Sequence, residues 1–303
     1  MQPTLGGLWT PAVTPFLPDG AVNTGRLIEH CRALLTDGST GLAILGTTSE
    51  ANSLTVGERL RIIDACVEAG IPPERLLPGT GATALEDAAR LTRHAADHGC
   101  AGVLLLPPFY YKKVSDDGLF AFVAALIERG GPKVPRILLY HIPPIAVVGW
   151  SIELVGRLAE AFPGIVAGMK DSSGSIDHVI EMINTFPGFA VFPGAERHLL
   201  DGMRAGAVGC ISASANVNAR GIAGLVRHWR EPDAERRQEE ANAIRNAVED
   251  RGLIPSVKVV LGARYRDENW RRVRPPLMPL GLDAARELLA DPAIAALLEA
   301  TPA

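Results

Sequence analysis

Short runs of Val, Ile, Leu, Ala and Gly recur along the chain, each followed by a longer amphipathic stretch, and this alternation constrains the fold more than any other feature. The predicted strands are Leu8–Val13, Gly41–Leu45, Arg75–Gly79, Ala101–Leu106, Arg136–Tyr140, Ile165–Lys170, Phe189–Phe192 and Ala207–Ile211. None of them alternates polar with apolar residues, which is the pattern of strands covered on both faces of a parallel sheet. Helical periodicity fills the intervals, over Thr24–Thr36, Val56–Ala69, Ala84–His98, Asp116–Arg129, Ser151–Ala161, Ile176–Thr185, Glu196–Arg204 and Arg220–Arg230. Asn23, Ser115 and Ser151 stand where side-chain caps belong.

Eight such units within residues 1–230 match the repeat of an α/β protein of the (β/α)8 TIM-barrel class. An open, doubly wound sheet uses the same alternation and is the competing arrangement. After Arg230 the strands stop. Three further helices are predicted, Pro232–Asp250, Ile254–Arg264 and Leu282–Ala300, with no low-complexity linker before them. Residues 231–303 are therefore expected to form a C-terminal helical extension packed on the barrel of residues 1–230.

Hydrophobic residues make up 47% of the chain and charged residues 21%, which excludes intrinsic disorder. A net charge of -4 gives no general attraction to nucleic acid or anionic membranes. Cys31, Cys66, Cys100 and Cys210 form no C-x-x-C pair, so a zinc knuckle or disulfide scaffold is not expected. The first residues lack a basic and apolar leader, and no apolar run spans a bilayer; the expected location is the cytoplasm.

Catalytic groups in a barrel sit at the C-terminal ends of strands and in the loops that follow. The predicted strand ends collect few chemically useful residues: Gly46-Thr47-Thr48-Ser49-Glu50, Tyr110-Tyr111, Tyr140, Lys170, Gly194 and Ile211-Ser212. Lys170 closes an apolar run in a chain with five lysines, and a desolvated lysine loses its ammonium proton more readily. Its neutral amine can attack a ketone and form a Schiff base. Tyr140 ends the neighbouring strand and can carry protons if a relay of hydroxyls serves it, from Thr47 and Tyr110 or Tyr111. The glycine- and hydroxyl-rich turn at Thr47–Ser49 can cradle a carboxylate. Two other patterns are weaker. Gly79-x-Gly81-x-x-Ala84 lacks the acidic partner of a dinucleotide site, and His94 and His98 fall within a predicted outer helix, where a solvated face is expected.

Together these segments resemble the dihydrodipicolinate synthase/N-acetylneuraminate lyase family. The resemblance rests on Gly46–Glu50, Tyr140 in Leu-Leu-Tyr-His-Ile-Pro and Lys170 in Gly-Met-Lys-Asp-Ser-Ser-Gly. Thr14-Pro15-Phe16, Gly79-Thr80-Gly81-Ala82, Gly209-Cys210-Ile211-Ser212 and Arg274-Pro275-Pro276-Leu277 follow the same order, so it covers nearly the whole chain. It implies a class I aldolase on a (β/α)8 barrel that makes a lysine Schiff base with pyruvate or a 2-keto-3-deoxy acid. An aldehyde would be the second substrate; no cofactor or metal is implied, and homotetramers are. By motif, Lys170 forms the imine, Tyr140 transfers the proton and Thr47 relays it, while Thr48 holds the carboxylate and Ile211 offers its carbonyl. Tyr111, or else Tyr110, would come from a partner subunit.

Two departures stand out. Ser49 replaces the glycine usual in the family turn, and is strained if that position needs positive φ. The segment Tyr140–Gly149 is apolar and holds none of the arginine that clamps the aldehyde's carboxylate in true synthases. A sugar-acid aldolase is therefore the expected activity, with His141 as a hydroxyl ligand. The synthase itself, a Schiff-base dehydratase and a non-catalytic 2-oxo-acid-binding barrel are the alternatives.

Overall fold

The computed structural model describes residues 5–300. Its parallel strands are β1 (Gly7–Thr10), β2 (Gly41–Leu42), β3 (Val103–Leu105), β4 (Ile137–His141), β5 (Val166–Asp171), β6 (Ala190–Pro193) and β7 (Gly209–Cys210). They pair in two arcs, β2-β1-β7 and β3-β4-β5-β6. Residues 76–79 join β2 to β3 through the parallel bridges Leu42↔Leu76 and Gly79↔Leu104. On the other side, the amides of Val208 and Ile211 donate to the carbonyls of Val191 and Pro193 at 3.1 Å each. Counting the bridged segment as a stave, eight staves close the ring, and the fold is a (β/α)8 barrel. The open-sheet alternative falls with that closure.

The helices lie where the apolar periodicity places them, because local chemistry starts them. Thr24–Thr36 is capped by Asn23, and Val56–Glu68 begins with a reciprocal capping box between Thr55 and Glu58. Ser115, Ser151 and Ser175 cap the helices Asp116–Gly130, Ile152–Ala161 and Ile176–Thr185. Two expectations need correction. The helix expected from Arg220 begins at Ala215, with a kink at Asn218. The side chain of Asn216 holds this start in place, accepting from Val13 N–H and donating to Pro11 O in the segment after the neighbouring strand β1, a tertiary anchor with no local signature. The single helix expected over Leu282–Ala300 is two, Leu282–Ala290 and Pro292–Ala300. Pro292 forces Asp291 into an extended conformation (φ -60°, ψ 130°), as prolines do to the residue before them.

Apolar burial falls into separate layers. Leu77, Leu104, Leu138, Phe192 and Ile211 fill the barrel's interior, while a larger cluster packs the strands against the surrounding helices. The tail has its own core around Val257, Val260, Trp270 and Leu288. It returns to the barrel through charged side chains. Lys258, wholly buried in the helix Leu253–Arg264, donates to the Glu50 carboxylate and to Arg272 O at 2.7 Å. Arg274 grips both oxygens of Glu58, at 2.5 and 3.0 Å, and the carbonyl of Gly20.

Candidate active site

The register of β4 and β5 brings the two key side chains together. The pairing shifts by one residue between Ile137 and Leu138, and beyond the shift Tyr140 lies directly opposite Lys170 and His141 opposite Asp171. Both Tyr140 and Lys170 are buried. Lys170 Nζ stands 4.1 Å from the centre of the Tyr140 ring, and Thr47 Oγ1 lies 3.3 Å from the phenol oxygen. All three line one cavity of about 320 Å³ at the barrel mouth, with Thr48, Ser172 and Gly194. Among the described residues Lys170 makes no ion pair. The adjacent Asp171 is engaged elsewhere, accepting from His178 Nδ1 at 2.5 Å and from Ser173 N–H at 2.8 Å.

Burial alone pushes the Tyr140 phenol up. The Lys170 charge and hydrogen bonds from Thr47, Lys170 and Ser172 outweigh it and leave the phenol below its ordinary value. A phenol that ionises more easily, next to a primary amine, is suited to moving protons on a substrate attached to that amine.

The turn after β2 carries no strain at Ser49. The non-glycine residues with positive φ nearby are Leu45 (61°) and Glu50 (57°), flanking it. Ser49 instead donates its hydroxyl to Ala12 O at 2.6 Å, and its carbonyl accepts from the Thr14 hydroxyl at 2.7 Å. The serine substitutes for glycine because this position does not need the left-handed region.

Gly194 is at the mouth as expected, and there is no room for a side chain: a Cβ would fall 2.0 Å from Ser172 Oγ and 2.7 Å from Asp171 O. The Ile211 side chain points into the barrel's interior cluster, which leaves its carbonyl as the group expected at the mouth, and Ala213 is among the residues that line the cavity there. His141 is neither a cavity ligand nor a solvent-facing loop residue. It is buried, accepts the Trp150 backbone N–H at Nδ1 (3.1 Å) and stacks on His178 with 4.7 Å between ring centres. Burial lowers its pKa. Tyr110 and Tyr111 lie outside the cavity, edge to face with each other and 72% exposed.

The cavity also contains residues that the strand-end pattern did not pick out: Ser172, Arg197, His198, Arg245 and Glu249. Ser172 was legible as the hydroxyl two places after the lysine. Arg245 and Glu249 come from the tail helix Ala234–Glu249 and carry no local signal. Arg245 reaches Ser212 Oγ at 3.2 Å and Glu249 at 2.7 Å, and Ser212 and Ser214 donate to the buried Glu196 carboxylate. His198 Nε2 is buried on this wall without a hydrogen-bond partner.

The two weaker motifs fare differently, and the first forms no dinucleotide site. The Gly79–Gly81 loop is filled by Arg59, which donates to Gly79 O (2.7 Å) and Gly81 O (3.2 Å). Its glycines permit close backbone packing, since a Cβ on Gly79 would meet Leu45 O at 2.2 Å. His94 and His98 are not a freely solvated face either; both bond to Asp64 of the neighbouring helix.

A closed barrel with lysine and tyrosine at adjacent strand ends defines a class of barrel lyases, and the comparisons agree. The dihydrodipicolinate synthetase family profile matches residues 4–293. The chain is similar to 4-hydroxy-tetrahydrodipicolinate synthase of Agrobacterium fabrum, 35% identical over 69% of each chain. It is 30% identical to an uncharacterized DapA-like lyase of Chloroflexus aurantiacus, over 94% of this chain and 95% of that one. Among solved structures, dihydrodipicolinate synthase from Agrobacterium tumefaciens superposes with a TM-score of 0.89 at 35% identity, covering 97% of this chain and 99% of that one. The Escherichia coli prophage protein YagE, solved in complex with pyruvate, gives 0.87 at 25% identity, covering 97% of this chain and 99% of that one. The chain belongs to the dihydrodipicolinate synthase family and is an enzyme, a lyase.

Proposed function

We propose that this lyase cleaves or forms a carbon–carbon bond of a 2-oxo acid through an imine on Lys170. The β4–β5 register that sets Lys170 against Tyr140 inside one cavity carries the reading. Lys170 Nζ attacks C2 of the 2-oxo acid; the carbinolamine loses water to give the iminium. In the cleavage direction Tyr140 takes the proton of the C4 hydroxyl and the C3–C4 electron pair flows to the iminium nitrogen. The aldehyde leaves and an enamine remains, which takes a proton at C3. Water then hydrolyses the iminium to free pyruvate and restore the amine. Thr47 passes the proton to and from Tyr140, and Thr48 in the same wall holds the substrate carboxylate.

Tyr111, or Tyr110, would extend the relay from a partner subunit. The exposed position of both tyrosines, close to the exposed apolar Ile145 and Val147, supports an interface there. Lys112 ties these two loops, donating to Phe109 O and to Ala146 O at 3.3 Å. A homotetramer in the cytoplasm is the expected form of the enzyme.

The cavity's second half favours a polyhydroxylated aldehyde, the fragment released from a 2-keto-3-deoxy sugar acid. The wall after β4 is apolar, with Ile142, Pro144 and Ile145, and offers no clamp for a second carboxylate. The loop after β5 offers Ser172 and Ser173 to hydroxyl groups, while Arg197 is engaged by Glu249. The synthase reading is the second one, supported by the 35% identical relatives that carry that name. Incubation with pyruvate and borohydride should attach a reduced pyruvyl group to the Lys170 peptide, and Lys170→Ala should abolish it. An intact, folded protein that gives no adduct sinks the mechanism. Pyruvate release from a panel of 2-keto-3-deoxy sugar acids, set against condensation with aspartate semialdehyde, separates the two readings.

A further inference from the structure

We propose that Asp64, His94 and His98 form a binding site for a divalent first-row transition metal ion on the outside of the barrel. His94 and His98 stand four residues apart on the helix Leu85–Asp97 and its C-cap, so their imidazoles project from one face. Both Nε2 atoms converge on a single oxygen, Asp64 Oδ1, at 2.6 and 2.8 Å, and the rings meet edge to face with centres 4.8 Å apart. Asp64 belongs to the adjacent helix Val56–Glu68, so the three ligands span two helices. All three ligand atoms lie within 4.8 Å of one another.

This chain pairs many of its surface acids with arginine, as in Asp117–Arg157, Glu86–Arg129 and Asp37–Arg220. Asp64 differs: among the described residues its ion-pair partners are the two histidines alone. Two imidazoles and a carboxylate are the donor set of zinc-type sites, which need metal–ligand distances of about 2.0–2.2 Å. Such a tetrahedron separates ligand atoms by about 3.4 Å, so the Asp64 oxygen needs to part from each Nε2 by less than about 1 Å. The ion would take the place of the two Nε2 hydrogen bonds to Asp64, each neutral imidazole binding it through Nε2 and carrying its single proton on Nδ1. The side chains are 27%, 27% and 35% exposed, which admits an ion from solvent and leaves room for water on its open positions. Imidazole and carboxylate together favour Zn2+, Ni2+, Cu2+ and Co2+ over Mg2+ or Ca2+. None of the three residues lines the lyase cavity, so the ion would clamp two outer helices and take no part in the carbon–carbon chemistry.

The full-length chain, stripped with chelator, should bind one Zn2+ in calorimetric titration and show a tetrahedral visible spectrum with Co2+. His94→Gln/His98→Gln should weaken Zn2+ binding at least 100-fold, and Asp64→Asn should weaken it too, while Mg2+ shows no binding. His178→Gln guards against the other cluster of this kind, His141, Asp171 and His178, and should leave the affinity unchanged. Saturating Zn2+ should raise the unfolding temperature of the wild type and not of the double variant, whose circular dichroism reports whether it has folded. Absence of wild-type binding, or equal binding by a folded double variant, overturns the proposal. So does loss of the ion in His178→Gln alone.

Discussion

Under the proposed mechanism Tyr140 and Lys170 divide the chemistry, and single substitutions should separate their roles. Tyr140→Phe keeps the packing and removes the proton carrier, so turnover should fall about 100-fold or more while the borohydride-trapped adduct still forms on Lys170. Mass spectrometry of the trapped peptide alongside a pyruvate-release assay checks both halves. Lys258 makes a different case. It is as buried as Lys170 but bonded to a carboxylate; burial lowers its pKa to about 8, against the pull of Glu50. Lys258→Ala leaves Glu50 buried and unpaired and should cost roughly 3–5 kcal/mol in urea unfolding. Scarcity of lysine and position at a strand end made Lys170 legible in the sequence. Nothing comparable marked Lys258, because its partner lies 208 residues away. His141 was misread for the same reason: its hydrogen bond to Trp150 and its stacking on His178 belong to the fold, not to the loop motif.

Between elements, backbone contact decides what the loops tolerate. Gly194→Ala would drive the loop after β6 into Ser172 and the Asp171 carbonyl, so turnover should fall at least 10-fold, with a lowered unfolding temperature read by calorimetry. The tail's hold on the helix Val56–Glu68 should show in acid. Hydrogen bonds from Arg274 hold the Glu58 carboxyl down at about 2, from 4.5. A folded pKa below the unfolded one gives stability that is present in full above about pH 4.5 and lost as pH falls toward 2. Urea midpoints measured across that window should decline in the wild type, and Arg274→Met should remove this part of the decline. The strands and caps behind these contacts were readable because buried runs and Ser, Thr or Asn caps are local signals. The third stave was readable too, although it forms only isolated bridges. The Ala215 helix start was not, because its hydrogen bonds cross 203 residues.

At the scale of the molecule, the barrel and its tail share the site. A fragment ending at Arg230 retains Lys170, Tyr140 and Thr47 but loses Arg245, Glu249 and Lys258. It should lack a cooperative unfolding transition by calorimetry, since Glu50 and Glu196 would be left buried without their arginine and lysine partners. The alternation of elements made the barrel visible in advance; the tail's part in the cavity was hidden, because Arg245 and Glu249 reach it through contacts with Glu196, Arg197 and Ser212 that no local pattern marks. That bond between Lys258 and the turn at Glu50 also bears on synthesis. On the ribosome Lys170 emerges well before the residues that complete its chamber, so under the proposed mechanism a nascent chain stays inert until its last fifth has been translated and has folded back.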